Sequence, residues 1–213
     1  MTSNFNIAQC LLNGRSYTPE QLQQIMKEGE QDEAALVRMM PEVSVIDPRP
    51  VRTAVMRAAD GAWEDRIEWY SRYAELFIEK LRDMMHTEAV VAQLPSIEEE
   101  PAPAHAVFLR IEGDISFVSG LAARDAVFLE LARRYSGELL DTVDEMAVDS
   151  IQEFLNVVNG LFCIELANSG MEGELSLPRW RKNVRIQGAK RLCLRIYTSF
   201  GAFQLILSAD DLF

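Results

Sequence analysis

Histidine is nearly absent from this 213-residue chain: there are two, His86 and His105, and no CxxC or HxxxH spacing accompanies them. A zinc site, which draws on clustered Cys and His ligands, is therefore not expected. Cysteine is scarce as well. Cys10, Cys163 and Cys193 are odd in number, far apart and set among apolar neighbours. They fit buried free thiols in a reducing compartment better than a disulfide framework. No apolar run approaches the roughly 20 residues of a membrane span, and the first thirty residues lack a basic-then-apolar signal pattern. A cytoplasmic protein with no membrane segment is the expectation. Basic charge is short too: 21 Lys and Arg stand against 33 Asp and Glu, a formal net charge of -12. Phosphate backbones attract basic surfaces, so nucleic-acid binding is not expected.

What remains is an ordinary folding composition, 48% hydrophobic and 25% charged, enough to build a core. The length suits one large domain, or a medium one with an appendage. Thr18-Pro19-Glu20-Gln21 reads as a helix start, with Thr18 as N-cap and Pro19 in the first turn. Asp47-Pro48-Arg49-Pro50 is punctuation. Residues 1–60 are expected to be a helical appendage without an assigned role, and residues 61–213 the main domain. A long helix is expected from Trp63 to Met85, where Trp69, Tyr73, Leu76, Phe77, Leu81 and Met84 recur at helical spacing. Pro95 to Ala104 is a proline- and glutamate-rich loop.

After that loop the hydrophobic period changes. Ala106–Ile111 and Ile115–Val118 read as a hairpin through Glu112-Gly113-Asp114, and Leu121–Tyr135 as a helix stopped by Gly137. Another helix spans about Val143 to Leu166. Beyond it come short strands at Leu175–Leu177 and Val184–Ile186, then longer ones at Arg191–Thr198 and Ala202–Ser208, turning at Gly201. Arg179, Arg181, Lys182 and Arg185 read as a solvated strand edge. Trp180 is open between interface anchor and core. The order of elements predicts an α+β fold, a largely antiparallel sheet packed with long helices.

The helix from Val143 to Leu166 carries two stripes. Ile151, Phe154, Leu155, Val158, Leu161 and Phe162 follow the spacing of a buried face. Asp149, Glu153, Asn156 and Gly160 follow the same spacing on another side, which sets Glu153 beside Asn156, one turn apart. Asparagine and glycine are poor helix formers, and glycine costs about 1 kcal/mol against alanine. Two of them in line suggest that something outside the helix approaches closely. The plain alternative is that Asn159-Gly160 ends the helix and leaves Glu153 and Asn156 as solvated surface.

The stretch from Asp144 to Gly160 resembles the signature helix of the CheC/CheX/FliY chemotaxis phosphatases. That signature is a small polar residue, then Glu, then Asn three on, then Gly four further; here Asp149, Glu153, Asn156 and Gly160. Ile111-Glu112-Gly113-Asp114-Ile115 is similar to the family's first hairpin, and Leu175-Ser176-Leu177-Pro178 lies where later strands belong. Residues 64–213 are covered, though only the helix is specific. Members of the CheC type carry two signatures. The first long helix offers only Glu68-Trp69-Tyr70-Ser71, with Ser where Asn is required, so the resemblance points to a CheX-like domain. Leu155 departs from the small residue that often precedes the Asn.

The resemblance implies a phosphatase acting on the aspartyl phosphate of a CheY-like receiver domain. Asn156 would orient the attacking water and Glu153 would pair with the receiver's lysine. Asp149 and Gly160 would complete the partner-binding face. The divalent metal would belong to the receiver, and the chain would need no cofactor or metal of its own. It also implies a homodimer. The alternative is a non-catalytic adaptor that grips a response regulator or a flagellar-switch partner through the same helix.

Overall fold

The structure, a computed structural model, describes residues 51–52, 55–56, 66–87, 89–93, 104–183, 186 and 191–212. The helix expected from Thr18, the start of the helix at Trp63, most of the proline-rich loop and the Val184–Arg185 strand positions lie outside the described residues. The chain divides into two units, residues 1–100 with 194–202, and residues 101–193 with 203–213.

The first unit contains helix α1 (Ile67–Met85) and strand β1 (Val90–Gln93). It also holds the chain at 194–202, most of it strand β6 (Arg191–Thr198). β1 and β6 run antiparallel, with Val90 opposite Tyr197 and Gln93 opposite Leu194. On α1, Tyr73, Leu76, Phe77 and Leu81 are buried as their spacing requires. The buried stripe is turned slightly from the expected one: Tyr70 and Met85 are buried while Trp69 and Met84 are half-buried. β1 was not expected, because four residues give too short a pattern to separate from a loop.

The second unit is built on a hairpin of β2 (His105–Gly113) and β3 (Phe117–Ala123), antiparallel with Ile111 opposite Phe117. Helix α2 (Asp125–Ser136) and helix α3 (Glu145–Asn168) follow. Two short strands then pair with the free edge of β2. β4 (Gly173–Leu175) places Leu175 opposite Ile111, and β5 (Arg179–Lys182) places Trp180 opposite Val107. β7 (Gly201–Ser208) pairs antiparallel with β3, Val118 opposite Ser208. The fold class is α+β, as expected.

Several boundaries differ from expectation, the start of α2 for a clear physical reason. All seven residues of β3 are buried, so Leu121-Ala122-Ala123 shows no polar alternation and reads like a helix start. In the structure those residues stay in the strand, and α2 begins at Asp125. The strand expected at Leu175–Leu177 sits at Gly173–Leu175, and Ile186 lies in no strand. The turn after β2 depends on Gly113, whose φ is +136° and where a Cβ would stand 2.2 Å from the Glu172 carbonyl oxygen. Asp114 N–H donates to that same oxygen at 3.1 Å, which stitches the hairpin to the chain entering β4.

α3 is the long axis of this unit. Asp144 is its N-cap, its carboxylate accepting from Ala147 N–H at 3.1 Å. Ile151, Phe154, Leu155, Val158 and Phe162 are fully buried, and Phe117 of β3 meets Phe162 edge-to-face at 5.7 Å. Leu161, expected with them, is half-buried.

Candidate functional site

With one side of α3 fixed in the core, the opposite side is presented outward. Asp149 and Glu153 are exposed, and Asn156 and Gly160 half-buried. At about 100° per residue these four fall within an arc of about 60° around the helix axis. Among the described residues, the side chains of Asp149, Glu153 and Asn156 make no hydrogen bond or salt bridge. A Cβ added at Gly160 would meet nothing within 4 Å. The glycine is therefore not required by packing inside this unit, and it leaves the helix backbone open beside Asn156.

The helix does not end at Asn159-Gly160; it continues two more turns to Asn168. Asn159 has a different task. It is fully buried, its amide donates to Leu155 O at 2.6 Å, and its Oδ1 accepts from Ser119 Oγ of β3 at 2.9 Å. Asn159 locks α3 onto the sheet and so fixes which side Asn156 faces. Leu155 is fully buried. The departure it represents thus lies in the core and leaves the outward face untouched.

An open groove of about 780 Å³ runs between the end of α2 and the first half of α3, with Tyr135, Met146, Asp149 and Glu153 among its walls. Tyr135 is held edge-on to Phe154 at 5.7 Å. Burial raises the pKa of its hydroxyl, and the nearby Glu153 charge adds to the rise. Tyr135 was missed from the sequence. It sits at the end of another helix, and only tertiary packing brings it beside Glu153.

Other reactive residue types are occupied. Ser150 Oγ donates to Met146 O at 2.7 Å. Cys163 and Cys193 are free thiols but half-buried rather than buried as expected. Burial pushes both thiols above their ordinary pKa; Cys10 lies outside the described residues. His105 is buried on β2. Its Nε2 is 3.1 Å from Asp125 Oδ1, and Trp180 Nε1–H donates to its Nδ1 at 3.3 Å. Trp180, half-buried and stacked on that imidazole, is a packing residue of β5, while Arg179, Arg181 and Lys182 form the exposed edge expected of them. On α1, Ser71 is buried and donates to Ile67 O at 2.7 Å, so no second outward Glu-Asn pair exists there. Among the described residues no His, Cys, Asp or Glu group is arranged to hold a metal, and no helix is long and apolar enough to cross a membrane.

Residues 106–196 match the family model described as chemotaxis phosphatase CheX. That segment, 91 of the 213 residues, is similar to the CheX family. It contains the β2–β3 hairpin, both helices of the second unit and the whole outward face of α3. No curated protein sequence matches the chain. Among solved structures, the CheX-like domain is similar to chemotaxis protein CheX from Vibrio vulnificus, at 16% identity and a TM-score of 0.58 over 66% of this chain and 98% of that one. Chemotaxis protein CheX from Desulfovibrio desulfuricans gives 13% and 0.56 over 66% and 97%. The CheX–CheY–BeF3–Mg complex from Borrelia burgdorferi gives 18% and 0.55 over 68% and 97%. At these identities the likeness is one of fold.

Proposed function

We propose that the CheX-like domain accelerates hydrolysis of the aspartyl phosphate on a CheY-like receiver domain. The observation that carries this reading is the Glu153–Asn156 pair, adjacent, outward and without partners of its own, on the signature helix of a CheX-like domain. A relative of the same fold is described in complex with CheY, which supports the choice of partner.

Glu153 pairs with the receiver's lysine through a charge-assisted contact that sets register. Asn156 enters the receiver site beside the phosphoryl group. Its amide both donates and accepts, and it stays neutral next to a dianion. It holds one water in line with the scissile bond. Water oxygen attacks phosphorus, the bond from phosphorus to the aspartyl oxygen breaks, and inorganic phosphate leaves with the aspartate carboxylate restored. The divalent metal in this step is the receiver's own, and no covalent intermediate forms on the phosphatase.

The test is the lifetime of a phosphorylated receiver from the same organism, measured with and without the protein. A shortened lifetime at substoichiometric protein is the expected result. Tight binding to the phosphorylated receiver with an unchanged lifetime would leave the adaptor reading in its place.

A further inference from the structure

We infer that Met146 and Ile164 are apolar anchors at the two ends of a receiver-docking face that occupies nearly the whole length of α3. The inference rests on the reading above and deepens it, because it names residues that decide which receiver is held. Both side chains are large, apolar and exposed, each at 57%. Taking Glu153 as the reference direction and about 100° per residue, Met146 and Ile164 both lie about 20° from it. Gly160 lies at a similar small angle on the other side. The outward stripe of α3 is therefore apolar at one end, polar and acidic in the middle at Asp149, Glu153 and Asn156, and apolar again at the other end. Met146 to Ile164 spans about 27 Å along the axis.

The occupant follows from area and continuity. A specific interface buries about 800 Å² on each partner, and two side chains fall well short of that. Any receiver that seats Asn156 must cover the helix for several turns on either side, so it covers Met146 and Ile164 too. Scattered exposed apolar residues are normal on a protein surface; two in line with the polar pair, one on each side of it, form a continuous strip. Apolar anchors around a polar centre divide the work. The centre sets chemistry and register, and the ends supply affinity without adding charge.

The experiment is steady-state dephosphorylation of the cognate receiver by the full chain with Met146→Ser, Ile164→Ser and the double variant. Leu177→Ser serves as the control, another exposed apolar residue at 84% but placed between β4 and β5. Each single variant should raise KM about fivefold to tenfold, and the double variant further, while kcat stays within about twofold of wild type. Leu177→Ser should leave both unchanged. Affinity for the BeF3-bound receiver should fall in parallel with the rise in KM. Wild-type activity with unchanged KM in all variants would overturn the inference and leave the phosphatase reading standing. A wild-type protein that neither binds nor dephosphorylates any receiver would overturn both. Conversion of a dimer to a monomer by Met146→Ser and Ile164→Ser, with KM unchanged, would assign the face to a second copy and overturn the inference as well.

Discussion

Asn156 and Asn159 stand three residues apart on α3, about 60° apart around its axis, yet they differ in burial. Asn159 is buried and bonded to Ser119 and Leu155, whereas Asn156 points outward. Substitution should separate them cleanly. Asn156→Ala removes a group whose work is done in the transition state, so kcat at saturating receiver should fall at least tenfold, about 1.4 kcal/mol or more. Affinity for a BeF3-bound receiver should stay within about twofold. A wild-type kcat would sink the assignment, and lost folding is a poor excuse for low activity because alanine favours the helix. Ser119→Ala should behave in reverse. It leaves the buried Asn159 carbonyl oxygen without a donor, which costs about 1–3 kcal/mol of stability, with kcat near wild type at a temperature where the protein stays folded. Denaturant titration beside the kinetic assay reads both. A Ser119→Ala protein as stable as wild type would mean that water replaces the lost donor.

At the scale of elements, two features of the second unit make predictions. Gly160 sits within a continuous helix with open space where a side chain would go. Gly160→Ala should stabilise the protein by about 0.5–1 kcal/mol, since alanine is the better helix former. The added methyl stands where the receiver must approach, so KM should rise even as the denaturation midpoint rises. Stabilisation without any rise in KM would show that the face tolerates a methyl and that close approach is not what the glycine serves. The other feature is the clasp at His105, which joins β2, β5 and the start of α2. Trp180 donates to Nδ1, so the neutral ring carries its proton on Nε2 toward Asp125. Burial lowers the pKa of His105 and the Lys182 charge adds slightly, while Asp125 opposes them. The folded pKa is thus below the ordinary value near 6.5, and the unfolded chain takes up the proton first. Stability from this clasp is full above about pH 6.5 and is lost as pH falls toward the folded pKa. The melting temperature should therefore drop between pH 7 and pH 5, and His105→Gln should flatten that drop. An equal slope in the variant would remove His105 from the account.

For the whole molecule, the expected homodimer is the open question with a direct measurement. β1 pairs antiparallel with β6. Antiparallel sheets commonly extend by strand pairing between copies. Light scattering at micromolar concentration should give twice the chain mass of 24.1 kDa. A monomer mass would count against dimerisation, and it would leave the phosphatase reading untouched because the outward face of α3 lies on one chain.

The amino-acid pattern alone determined the elements of this protein that rest on local physics. The three-four spacing of Ile151, Phe154, Val158 and Phe162 dictates a helix with one buried side. Gly137 and Gly201 mark a helix stop and a hairpin turn, and both have positive φ in the structure. Four residues at that spacing also placed Glu153 and Asn156 side by side. Tertiary structure decided the rest. No local rule says that Leu121-Ala122-Ala123 belongs to a strand, because burial on both faces erases the alternation that would mark it. Spacing sets Asn159 between Leu155 and Phe162 on the buried side, but no local rule names its partner, the hydroxyl of Ser119 forty residues away in the chain. The neighbour of Glu153 across the groove, Tyr135, comes from a different helix, and its nearness depends on how α2 and α3 pack. Spacing along one helix can align residues on a face, but which face meets solvent is settled by the sheet beneath it.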